Sequence, residues 1–220
     1  MGSLSYVHLS KSPTVWTRLK FCYLTIKREH VYRFSSYNIR CEGRMVNKQI
    51  ILEKKQDLRL VTIRRGGTLK ESDHSLIAKW AADCAQHVLH LFEEERPNDG
   101  RPRVAIEQAR AWARGGITTG QARAAAFAAN AAARETSGAA KEAARAAGQA
   151  VAVAHMAAHE LGAAGYGIRA VRAASPEERR NEAGRSECLW QCSQLPCEIR
   201  DLVRDDKRLR NRKYWSLFTC

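Results

Sequence analysis

The chain has 220 residues, of which 45% are apolar, 27% charged and 7% aromatic. That composition suits one globular domain, or a domain with an appendage, and no stretch reaches the ~18 uncharged apolar residues of a membrane span, which excludes a transmembrane helix. The net charge of +14 is unevenly placed: residues 1–70 hold 15 Lys and Arg against 4 Asp and Glu (+11), residues 71–220 hold 22 against 19 (+3). Attraction of phosphate backbones by counterion release is therefore an argument about the N-terminal segment alone.

Residues 1–57 contain almost no alanine and are rich in Lys, Arg, Tyr and Ser. Phe21–Ile26 and His30–Phe34 have strand-like character, and Val46–Lys55 fits a strand or a helix start. Isolated pieces of this kind do not make a domain. The segment reads as a basic extension, non-helical or partly disordered, outside the core fold. Leu58–Ile63 then predicts a short strand or extended arm, ended by Gly66-Gly67.

A helix is expected to start at Ser72 or Asp73, with Leu76, Ile77, Trp80, Cys84, Val88, Leu91 and Phe92 on its buried face at spacings of three and four. Pro97 to Pro102 forms a turn, and Val104–Arg114 the next helix, stopped by Gly115-Gly116. Thr118 with Gln121 is a capping box opening a third. Between Val104 and Ala174 there are 29 alanines in 71 residues, the strongest helix former in a density that lets helix axes approach closely. Ser137-Gly138 separates that helix from a long one over about Ala139–Ala173, dotted with glycines. Helices after Ser175-Pro176 and after Pro196 come next, and the aromatic tail Tyr214–Phe218 docks on the body. The expectation is an all-α, Ala-rich bundle of about five or six helices over residues 58–220, behind the extension 1–57.

Seven cysteines, an odd number at irregular spacing, do not make a secreted disulfide framework. The first 20 residues lack the apolar core of a secretory signal, and Tyr6 stands where a myristoylation signal needs Ser or Thr. Free thiols in a reducing cytoplasm are expected.

Several stretches from Leu58 to Phe218 resemble a family of bacterial immunity proteins of polymorphic toxin systems (immunity-five-like). They are LRLVTIRRGGTLKESDH (58–74), IAKWAADCAQHVLHLFEEERPNDGRPRVAIEQARAWARGGI (77–117), ARAAAFAANAAARE (122–135), AARAAGQAVAVAHMAAHELGAAGYGIRAV (143–171) and LWQCSQLPCEIRDLVRDDKRLRN (189–211). The specific part is not the alanine but Trp80–Cys84 with His87, Arg96-Pro97, Arg101-Pro102 and Ala111–Gly115. The resemblance implies a helical, non-enzymatic cytoplasmic protein, without cofactor, that binds and blocks a protein toxin. Residues 1–57 have no counterpart in it.

Two histidine pairs invite a metal reading. His87 and His90 lie one turn apart, with Cys84 a turn before them; His155 and His159 are four apart, a chelating spacing. Met156 occupies the place where a zincin needs its general base Glu. Structural histidines, hydrogen-bonded to partners such as Asp83 or Glu107, are the expectation; a bundle-core metal site requires the two pairs to face each other. Cys188, Cys192 and Cys197 lack the spacing of a zinc knuckle. No P-loop, nucleophile elbow or dinucleotide fingerprint is present. Arg101, Arg103, Arg110 and Arg114 form the candidate partner-binding strip. Two further functions remain open: nucleic-acid association through residues 1–57, and a metal-dependent enzyme using the four histidines.

Overall fold

The computed structural model describes residues 57–220 and, before them, a short antiparallel pairing of β1 (Arg40–Cys41) with β2 (Arg44–Met45), in which Arg40 faces Met45 and Cys41 faces Arg44. Phe21–Ile26, His30–Phe34 and Val46–Lys55, expected as extended pieces, lie outside the described residues. The chain divides into two units, Met1–Lys55 and Gln56–Cys220, and the helical bundle belongs to the second.

Residues 58–65 are not a strand. Asp57 accepts a hydrogen bond from the Arg59 amide and caps a 3-10 turn over Leu58–Leu60. Thr62 makes a lone parallel bridge to Leu69, and a second turn, Ile63–Arg65, ends on left-handed Gly66 (φ 83°). Leu60 and Leu69 are buried while Leu58 and Ile63 are exposed: the first turn packs Leu60, the bridge to Thr62 seats Leu69, and the second turn buries nothing.

Eight α-helices come after it among the described residues: α1 (Glu71–His87), α2 (His90–Glu93), α3 (Arg101–Ala113), α4 (Thr119–Arg134), α5 (Gly138–Ala152), α6 (Glu160–Ala174), α7 (Arg180–Ser193) and α8 (Cys197–Arg210). The all-α, Ala-rich bundle is as expected. The number of helices exceeds the expected five or six because two long segments are broken. The first helix starts one residue ahead of Ser72, with Glu71 and Asp73 in its first turn complementing the helix dipole. It stops at His87, and the chain resumes as the single turn α2, which buries Phe92. The Thr118 capping box forms as expected, Thr118 Oγ1 accepting from the Gln121 amide and the Thr118 amide donating to Gln121 Oε1.

The expected long helix over 139–173 is two helices joined through a 3-10 turn at Ala157–His159. Neither Gly nor Pro breaks it. Three distant side chains claim carbonyls of the connecting stretch: His74 Nε2 donates to Val153 O (2.7 Å), Arg65 Nη1 to His155 O (2.6 Å) and Arg210 Nη1 to Ala158 O (2.9 Å). Backbone acceptors satisfied from outside no longer need a helical partner.

α5 is the central helix, packed by α1, α2, α3, α4 and α6, and it buries ten of its fifteen residues. Seven of those ten are alanine and one is Gly148. A Cβ on Gly148 would stand 2.8 Å from Asn130 Nδ2 of α4, and one on Gly162 of α6 would run into the Gln149 side chain of α5. The helices meet closely because these positions carry almost nothing. Trp80, Phe92, Ile77, Ile106, Leu161 and Ile168 supply the bulk around this alanine centre.

Candidate functional site

His87 does not point toward a second ligand. Its Nδ1–H donates to Glu187 Oε2 (2.7 Å), and its ring stacks on Trp190 of α7 at 3.6 Å between centroids. Glu187 Oε1 accepts from Gln191 Nε2, which also donates to Ala164 O, while Trp80 Nε1 donates to Gln191 O (2.9 Å). This chain of bonds ties α1, α6 and α7 together and leaves His87 partly exposed at its outer end. Cys84, one turn earlier, is fully buried, and burial pushes its thiol well above the usual range. His90 sits exposed at the start of α2.

His155 and His159 flank the break between α5 and α6 rather than sharing a helix face. Their rings lie 4.9 Å apart, and His159 Nδ1–H donates to Gln149 Oε1 (2.8 Å). The expected carboxylate partners are engaged elsewhere or absent here: Asp83 pairs with Arg110 (2.8 Å). Burial lowers the proton affinity of both rings, and the charges beside them (Arg123 and Arg65 for His155; Lys213 and Arg210 for His159) lower it further. Two neutral imidazoles ringed by cations, with no third ligand gathered among the described residues, do not build a metal centre. The two histidine pairs form no common site.

His159 carries a pH prediction. Its folded value is pushed down to about 4, against 6.5 for a free imidazole. Between those values the unfolded chain binds a proton that the folded chain refuses, so stability is unaffected above pH 6.5 and falls as pH drops toward 4. The full effect is about 3 kcal/mol. Urea unfolding at pH 7.5 and pH 5 should give a larger loss for the native chain than for His159→Gln. Comparing the two isolates His159 from buried Glu160, whose raised value works in the opposite sense.

Three of the four strip arginines are held by carboxylates of the same chain. Arg101 forks between Asp99 and Glu135, Arg103 pairs with Glu93, and Arg110 with Asp83. Arg96 joins this clamp by donating to Glu135 O (2.7 Å), so two arginines close the C-terminus of α4. Arg114 alone of the four is exposed without an ion pair among the described residues.

A more open surface lies elsewhere, and the sequence did not point to it. A cleft of about 690 Å³ is lined by Glu142, Arg169, Arg172, Arg180, Trp215 and Leu217. Arg169 pairs with Glu142 (2.9 Å) and lies 4.3 Å from the centre of the Trp215 ring. Tyr166 stands beside that ring at 5.7 Å and receives Arg145 on its own face. Trp215 and Ser216 both adopt the left-handed conformation (φ 56° and 54°), which non-glycine residues avoid. Asn211 holds them there, bonding both the amide and the carbonyl of Phe218. The result is a tryptophan half in solvent, 51% exposed, among arginines. Its sequence signal is an aromatic–basic alternation split between α6 and a tail some 50 residues later.

At the other end of α6, Glu160 and Asp206 are buried with Arg210 between them. Arg210 donates to Glu160 Oε1 (2.8 Å), to both Asp206 oxygens and to Ala158 O. Burial raises Glu160 well above the ordinary carboxyl range, and the neighbouring Asp206 carboxyl raises it further. The free-thiol expectation fails for one pair: Cys188 and Cys220 form a disulfide, while Cys84, Cys192 and Cys197 are free. No helix of the described residues is long and apolar enough to cross a membrane.

No curated protein and no solved structure matches this chain. The model of one family, described as Imm-5 like putative immunity protein, matches residues 67–198, from the turn before α1 to the start of α8 and so across the signature residues Trp80, Arg96, Arg101 and Trp112. Covering well over half of the sequence, that match places the chain in the Imm-5 like immunity protein family.

Proposed function

We propose that the chain is a cytoplasmic, non-catalytic immunity protein that binds a cognate toxin one to one and occludes its working surface. The observation that carries this reading is the family match over residues 67–198. Two features support it. His87, His159, Glu187, Glu160 and Asp206 are spent on bonds within the bundle rather than converging on a cavity. The cleft around Trp215 has the residue types that anchor protein interfaces, Trp, Tyr and Arg.

The contact surface in this proposal is the Trp215 cleft, and its partner a toxin face rich in Asp and Glu, since arginines outnumber the one glutamate there. Arg101, Arg103 and Arg110 are less suited, being already matched by their own carboxylates. The test is coexpression with the toxin encoded beside this gene: growth should be restored and an equimolar complex recovered. Trp215→Ala should weaken that complex tenfold or more, about 1.4 kcal/mol, with the unfolding midpoint nearly unmoved. A toxin left fully active by excess chain overturns the reading. If instead the chain binds random duplex DNA in a salt-steep manner that vanishes on deleting residues 1–57, nucleic-acid association takes its place.

A further inference from the structure

Around the end of α7 three sulfurs crowd together: Cys188, Cys192 and Cys220 Sγ all lie within 4.8 Å of one another, and no other group of three potential ligands does so among the described residues. Cys188 and Cys192 are four apart on α7 and so share a face. The third comes from the tail, docked by the Asn211–Phe218 bonds and by the buried side chains of Leu217 and Phe218. Cys192 Sγ sits 2.9 Å from Cys220 Sγ, although Cys220 is bonded to Cys188. The third sulfur thus stands beside the disulfide rather than apart from it.

Lys207 is the second observation. It is 4% exposed, and no carboxylate lies within ion-pair distance of it among the described residues. Its Nζ instead donates to Cys192 Sγ (3.0 Å), stands 3.9 Å from Cys220 Sγ, and lies over the faces of Trp80 and Phe218. A buried ammonium without an anion is costly. It fits a cluster that carries negative charge.

We propose that, once the Cys188–Cys220 bond is reduced, Cys188, Cys192 and Cys220 form a three-thiolate site for copper(I), with Lys207 as its counter-charge. All the ligands are soft sulfur, a donor set that suits copper(I) and zinc, and zinc takes four ligands where three gather here. Metal–sulfur bonds of about 2.3 Å in a flat trigonal arrangement place the sulfurs about 4 Å apart, so Cys220 Sγ must move about 2 Å away from Cys188 Sγ once their bond is reduced. Three thiolates and one monovalent cation leave two negative charges, and Lys207 offsets one. Disulfide and metal use the same sulfurs and exclude each other. A dithiol reductant opens the site: its two thiols lose two electrons and two protons and close to a disulfide, while Cys188 and Cys220 become thiols. Binding then releases the three thiol protons.

The experiment takes the full chain, reduced with dithiothreitol and desalted under anaerobic conditions, and titrates it with copper(I) against bicinchoninate. The reduced chain should withhold one copper per molecule and the oxidised chain none, a comparison that needs no variant. Cys192→Ser and Cys220→Ser should each lower the affinity at least tenfold, Lys207→Met should also weaken it, and Cys22→Ser with Cys41→Ser should leave it unchanged. Equal retention by reduced and oxidised chains, loss to bicinchoninate from both, or indifference to Cys192→Ser and Cys220→Ser overturns the proposal. X-ray absorption of the loaded chain should count three sulfur neighbours; a count of two, or nitrogen neighbours, overturns it as well.

Discussion

Replacing Arg210 by Met should cost about 3–5 kcal/mol of stability, the usual consequence of stripping the cation from a buried ion cluster. Glu160 and Asp206 are both essentially inaccessible, and Arg210 supplies bonds to each as well as to Ala158 O. Without it, two carboxyls and a carbonyl are left facing one another in a dry site. Arg210→Lys should recover little, because a single ammonium cannot fork across three acceptors. Glu160→Gln should be close to neutral at pH 7, since burial already favours the uncharged form of that side chain. Equilibrium unfolding in urea checks all three. If Glu160→Gln costs as much as Arg210→Met, the pairing is not organised as described.

Trp80→Ala should be comparably damaging, about 4 kcal/mol, which for a chain of this size lowers the melting temperature by roughly 10 °C or more. The ring is 1% exposed, its Nε1 donates to Gln191 O, and Lys207 lies 5.6 Å from its centre. Truncation therefore opens a cavity, orphans a buried carbonyl and removes a face on which a buried ammonium rests. Trp80→Phe keeps most of the volume and loses the hydrogen bond, so it should cost only about 1–3 kcal/mol. Calorimetry on the two variants separates the volume contribution from the polar one. Equal losses would mean that packing at Trp80 is unimportant.

Much of this fold was legible because its signals are local. The capping box at Thr118, the stop at Gly115-Gly116 and the apolar spacing of Ile77, Trp80 and Cys84 all act within a turn or two. The break between α5 and α6 was not legible. It is made by His74, Arg65 and Arg210, which lie 79, 90 and 52 residues from the carbonyls they claim. The same distance hid the site residues. His155 and His159 look like a chelating pair only if the helix continues, and once it breaks they become neutral rings packed on Gln149 and each other. Arg101, Arg103 and Arg110 read as a free strip because Glu135, Glu93 and Asp83 come from other helices or turns. Cys220 carries no spacing relation to Cys188 and Cys192, so the sequence offered Cys197 in its place, and the tail, folded back by Asn211, decided otherwise. Trp215 similarly meets Arg169 only through that tail.

The alanine centre of α4, α5 and α6 has a consequence for how such a chain can change over generations. Side chains with no rotamers to lose and no bulk to rearrange transmit little of a rim substitution to the opposite rim, so distant surface replacements should combine additively, with little epistasis. A scaffold of this kind can exchange its outward side chains one at a time without renegotiating its own interior at each step.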